Sequence, residues 1–191
     1  MRRFLAGSSR SAQNSGMTTQ PDTSALFVAS LREILMRDLR SLEEQIAAYP
    51  DDESVWRTAP GISNPAGALA LHLAGNLRHF FGAVLGSSGY QRDREAEFAT
   101  IGVSRSDLQK LVRDTMSEVD QVLDILQSGD LASKYPIQIA DRSVGTLTFL
   151  MHLAVHFTWH LGQIDYHRRL LTADPKTVEN LSIKALSAFG T

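Results

Sequence analysis

The chain has 191 residues, of which 43% are apolar and 21% charged, and its net charge at pH 7 is -2. This is one domain's worth of sequence with enough apolar side chains for a real core. It excludes a nucleic-acid binder, which needs a basic patch against phosphates, and a membrane-spanning chain, because no apolar run reaches the roughly 20 residues a bilayer requires.

Cysteine is absent, so disulfides, thiolate ligands and a cysteine nucleophile are excluded as well. A metal ion here has only imidazole and oxygen to hold it.

Residues 1–22 contain Arg2, Arg3 and Arg10, many Ser, Gln and Asn, and no acid before Asp22. An organelle-targeting segment has this look, and Met17 offers a later start. The composition fits best with a disordered tail, so residues 1–22 are expected to be tail and 23–191 the folded domain of a cytoplasmic protein.

Residues 24–48 form an amphipathic pattern. Phe27, Leu31, Leu35, Leu39, Leu42 and Ile46 recur every three or four positions, with Arg32, Glu33, Arg37, Asp38, Glu43 and Glu44 on the remaining surface. Tyr49-Pro50-Asp51-Asp52 ends it. Asn64-Pro65 reads as a helix start, with Asn64 as N-cap, for a second and mostly apolar helix reaching about Val84. The longest apolar run, 66–84, lies in this helix and is broken by His72, Asn76, Arg78 and His79.

Residues 90–103 read as a charged, irregular connection. Ser106-Asp107-Leu108-Gln109 has the spacing of a helix N-terminus, and the third helix should end at Ser128-Gly129-Asp130. Residues 134–139 alternate weakly, as a short extended piece would. A fourth helix is predicted from about Ser143 to Leu171, and a short one over Val178–Ala188. Four long helices and no convincing strand predict an all-α four-helix bundle. The connection between the second and third helices is long enough to travel the bundle, so parallel middle helices and a simple up-and-down order both remain open.

All six histidines, His72, His79, His152, His156, His160 and His167, fall in the second and fourth helices. Positions four apart share a helix face, so His152, His156 and His160 climb one stripe, and His72 and His79 share a face of the other helix. Imidazoles at i and i+4 have Cβ atoms roughly 5–6 Å apart and can reach one ion. A third histidine from the facing helix would leave coordination positions open. The competing reading is a hydrogen-bonded polar network in the core. Spacing alone leaves both readings, and the choice of ligands, open.

Leu71-His72-Leu73-Ala74-Gly75-Asn76-Leu77-Arg78, together with His156-Phe157-Thr158-Trp159-His160-Leu161-Gly162-Gln163, resembles the DinB/YfiT-like superfamily over residues 25–171. The resemblance implies a four-helix bundle with parallel middle helices and a long crossover between helices 2 and 3, often dimeric. It also implies a divalent metal ion (Zn, Ni or Fe) held by His72, His156 and His160. His79, His152 and His167 match no ligand position. Val155, Trp159 and Leu161 stand where the commoner motif has polar residues, whereas Gln163 and Asn76 remain to orient His160 and His72.

The function this implies is that of a metal-dependent enzyme of thiol-transferase or hydrolase type, acting on a small-molecule thiol or another small substrate. The alternative is a non-catalytic metal-stabilised module for stress response or binding. Asp165 and Glu95 are the carboxylates considered as bases, though spacing places neither. A homodimer is the expected assembly.

Overall fold

The computed structural model describes residues 22–178 and 183–186. Most of the predicted 1–22 tail, and most of the predicted 178–188 helix, therefore lie outside the described residues. Within the latter only a single 3-10 turn, Ile183–Ala185, is described.

The helices are α1 (Thr23–Ala47), α2 (Ala66–Leu77), α3 (Arg94–Ala99), α4 (Arg105–Ile125), α5 (Ser128–Ala132) and α6 (Thr146–Thr172). A 3-10 turn, Ser54–Trp56, lies between α1 and α2, and α2 continues without a break into a π-helical segment, Arg78–Leu85. Among the described residues no strand forms. The piece at 134–139 makes only isolated bridges, Lys134 to Gly145 and Ile139 to Arg142.

Side-chain pairs fix the helix directions. Asp38 meets Thr158 and Gln45 meets Asp165, so α1 and α6 run parallel. Arg32 near the start of α1 pairs with Asp120 and Asp124 near the end of α4, whereas Arg105 at the start of α4 binds the Tyr49 carbonyl beyond the end of α1, so α1 and α4 are antiparallel. Arg78 pairs with Glu118 at 3.0 Å, and Trp56, whose ring packs on Gly67, donates to the Val103 carbonyl at 2.9 Å. The middle helices α2 and α4 are therefore parallel, and residues 86–104 must cross the length of the bundle to join them.

The core is built from the periodic positions: Leu35, Leu39, Leu42 and Ile46 of α1 against Leu73, Leu77 and Phe81, Leu108, Val112 and Val119, and Leu150, Phe157 and Leu161. Each is nearly or fully withdrawn from water, the main favourable term in folding.

Three local expectations are corrected. The cap of α4 is Ser104, which accepts from the Asp107 amide at 3.1 Å, and not Ser106. At α2 the N-cap position is Pro65 with no side-chain cap, so Asn64 does not cap the helix. Asp38 is buried rather than on the surface of α1, tolerated there because Arg37 and Thr158 supply charge and hydrogen bonds. The crossover is also more ordered than an irregular connection, since it contains α3, capped by Asp93 through the Ala96 amide at 2.9 Å.

A candidate three-histidine metal centre

α2 and α6 run antiparallel, with Phe80 against Phe149 at one level and His72 against His156 and His160 at another. The i, i+4 spacing puts His156 and His160 one turn apart, ring centroids 4.7 Å from each other. His72 of α2 faces both, at 5.3 and 5.4 Å between centroids. One nitrogen from each ring falls within a set whose members all lie within 4.8 Å of one another. His72 is buried, and His156 and His160 are half-buried, so the cluster opens toward solvent on the α6 side.

The outer nitrogens decide what the inner ones are. A carboxylate only accepts, so His72 Nδ1–H donates to Glu97 Oε2 at 2.9 Å, and in the neutral ring Nε2 is then the lone pair. An amide oxygen also only accepts, so His160 Nδ1–H donates to Gln163 Oε1 at 2.7 Å and its Nε2 is likewise a lone pair. His72 Nε2 lies 3.4 Å from His156 Nε2, a spacing close to that of two imidazole nitrogens on one tetrahedral ion with bonds of about 2.0–2.1 Å. Burial and the neighbouring His160, His72 and His152 push the His156 pKa down to about 4. Burial lowers His160 too, against the pull of its Gln163 bond. Lone pairs converging on one point in a partly dry site repel unless a cation lies between them, and the three rings present a donor set that fits a divalent ion.

Glu97, which the sequence reading passed over, is the outer partner of His72. It rides on α3 in the crossover and is buried. Arg92 grips it with a two-pronged bond, Nε to Oε1 at 2.7 Å and Nη2 to Oε2 at 2.9 Å. Burial alone would raise the Glu97 pKa, but the Arg92 and His72 hydrogen bonds outweigh it and hold the carboxyl below its usual range. An anionic partner fixes the orientation of His72 and would make it a stronger ligand to an ion. Gly75 makes the approach possible: a Cβ at that position would stand 2.2 Å from Glu97 Oε1. The charged Arg92–Glu97 spacing was the only trace of this pair in the sequence, and it lay in a stretch with no helical period to place it.

The other candidates separate. Gln163 orients His160 as expected, but Asn76 does not orient His72, whose outer nitrogen belongs to Glu97. Asp165 is buried in a network with Gln45 and Arg168 away from the triad, and Glu95 is exposed, so neither is placed as a base. His167 is a core residue: Tyr49 OH donates to its Nδ1 at 2.6 Å and its Nε2–H donates to the Arg57 carbonyl at 2.8 Å. His79 and His152 lie beside the triad rather than in it.

A family model described as "Protein of unknown function (DUF1572)" matches residues 22–185. The chain belongs to the DUF1572 family. Among curated proteins none matches. Among solved structures, a DinB-like protein from Bacillus cereus ATCC 10987 is similar at 20% identity and a TM-score of 0.57, over 76% of this chain and 91% of that one. This DUF1572 member therefore has the DinB-like helical fold, as its motifs suggested. Among the described residues no helix is long and apolar enough to cross a membrane.

Proposed function

We propose that this protein is a metal-dependent enzyme in which His72, His156 and His160 hold one divalent ion. A bound ion would supply Lewis acidity, lowering the pKa of a water or a thiol presented at the open side. The chain has no cysteine, so in a thiol-transfer reaction the reactive sulfur comes from a small-molecule co-substrate. The observation that carries the reading is the pinning of the outer nitrogens by Glu97 and Gln163, which turns the inner nitrogens of His72 and His160 toward one half-exposed point. A core network would close all the inner nitrogens with hydrogen bonds, whereas the one contact between them, His72 Nε2 to His156 Nε2, is long at 3.4 Å.

Elemental analysis of the purified full chain should return close to one divalent ion per chain, and His160→Ala should abolish it. Full occupancy in that variant would refute the site. Cobalt(II) substitution then separates enzyme from metal-stabilised module: a spectrum that responds to added 2-mercaptoethanol supports an open centre, and one indifferent to it supports the structural role.

We also propose a homodimer through α1 and α6. Met151, Val155 and Trp159 recur every four residues on the outer face of α6, with Val155 67% and Trp159 68% exposed, and border a groove of about 560 Å³ shared with Phe27 and Ile34 of α1. An apolar stripe on both sides of one helix belongs in a core. Sedimentation of the protein as a dimer, and of Trp159→Glu as a monomer, is the expected result.

A further inference from the structure

Two histidines outside the triad stand one level along the same α2–α6 groove. His152 precedes His156 by about one turn of α6, roughly 6 Å along the axis, with 6.1 Å between ring centroids. Its ring stacks on Phe149 at 6.0 Å, and Phe149 packs edge-on against Phe80 at 4.9 Å. On the facing helix, in the π-helical segment, the His79 ring packs edge-on against Phe80, 4.7 Å between centroids. The guanidinium carbon of Arg92 lies 5.8 Å from the Phe80 ring. Two imidazoles and an arginine thus pack on one aromatic pair beside the triad.

Their polar atoms are only partly used. Arg92 spends Nε and Nη2 on Glu97, and among the described residues its Nη1 takes no acceptor. His79 Nδ1 and His156 Nδ1 are buried and have no hydrogen-bond partner. Such atoms cost free energy unless a ligand or water completes them. The groups here are donors or neutral rings, with no carboxylate besides the already engaged Glu97, so the missing partner is an acceptor. π-helical insertions recur at functional sites because they re-aim side chains, and this one carries His79 and Phe80.

We infer that His79, His152 and Arg92 form a subsite for the carboxylate of a small substrate whose reactive group lies at the metal centre. This rests on the metal-centre reading and adds a substrate class to it: a short acid with its thiol or water-derived group roughly one helical turn from its carboxylate. The Phe80–Phe149 pair forms the apolar floor beneath the intervening carbons.

The test uses the zinc-loaded full chain and two probes, 3-mercaptopropionate and 2-mercaptoethanol, titrated by calorimetry. The acid should bind at least about tenfold tighter, the scale of one charge-assisted hydrogen bond. In the double variant His79→Phe/His152→Phe, which keeps the ring packing and removes the donors, that ratio should fall toward one. Equal affinities in the wild type, or a ratio preserved in the double variant, would overturn the subsite while leaving the metal centre standing. Should zinc fail to bind at all, the metal reading falls, and the imidazole NMR signals of His79 and His152 decide the rest. Shifts on adding propionate would sustain the subsite by itself, and unmoved signals would overturn it too.

Discussion

Two histidine regions on α6, His167 and the His156–His160 pair, lie two turns apart and teach opposite lessons. At His167 every polar atom is closed: Tyr49 donates to one nitrogen, the Arg57 carbonyl accepts from the other, and the ring is buried. At His160 one nitrogen is closed by Gln163 while the other faces its counterparts from His72 and His156. Burial lowers the pKa in both regions, so protonation does not tell them apart. What differs is the fate of the second nitrogen. A histidine with both nitrogens matched is structure; a set with one nitrogen each left facing the same point is a group that could hold a metal ion.

The contrast breaks first at the ligands. His156→Ala should reduce metal content from about one ion per chain to near none, measured by elemental analysis. It should also abolish the downward shift in melting temperature that a chelator causes in the wild type, since an ion at a hundredfold its Kd stabilises by about 2.7 kcal/mol. His167→Ala, in contrast, should leave metal content intact.

A subtler test acts on the closed nitrogen of His72. Glu97→Gln should weaken metal affinity by about 10–100-fold in competition with a chromophoric chelator. Gly75→Ala should act in the same direction, because its Cβ would meet Glu97 Oε1 at 2.2 Å. Alanine is the better helix former by roughly 0.5–1 kcal/mol, so a weaker site in a variant with better helix propensity would isolate the role of the outer partner.

The core histidine should show itself in stability alone. His167→Ala strands Tyr49 OH and the Arg57 carbonyl, and urea unfolding of the metal-free chain should register a loss of about 1–3 kcal/mol.

Smallest is the pH effect on that metal-free chain. The folded pKa values of His156, His160 and His167 are lowered, so below their unfolded value of about 6.5 the unfolded chain takes up protons that the native state refuses. Stability should therefore be constant above pH 7 and decline as pH falls from about 6.5 toward 4, with a shallower decline in His167→Ala. Urea midpoints at three pH values within this window are the measurement. A decline of unchanged slope in that variant would leave the histidine contribution with His79, His156 and His160.

The helices were legible in the sequence because they depend on period, whereas the grouping of His72 with His156 and His160 came from the family motif, since spacing left the set open. Leu35, Leu39, Leu42 and Ile46 repeat at helical spacing and are buried, and His156 and His160 share a face by the same rule. Period failed where it was interrupted. Glu97 lies on a six-residue helix whose place depends on the path of the crossover and on the missing Cβ at Gly75. Asp38 occupies a position that charge assigns to the surface, yet it is buried, paired with its neighbour Arg37 and bonded across to Thr158 of α6. Ser104 and Ser106 are two residues apart with similar neighbours, and only the observed Asp107 amide bond distinguishes them.

Connections between helices are ordinarily where a bundle absorbs insertions and drift. The crossover here is under a different constraint, because parallel middle helices oblige it to travel beside α2, and on the way it delivers Arg92 and Glu97 to the back of His72. A single residue gained or lost between the π-helical segment and α3 would rotate Glu97 away without touching a ligand, a core side chain or a helix of the bundle. In the proposed metal centre the length of this connection belongs to the site, and altering it should change metal affinity more than altering the surface of any of the four long helices.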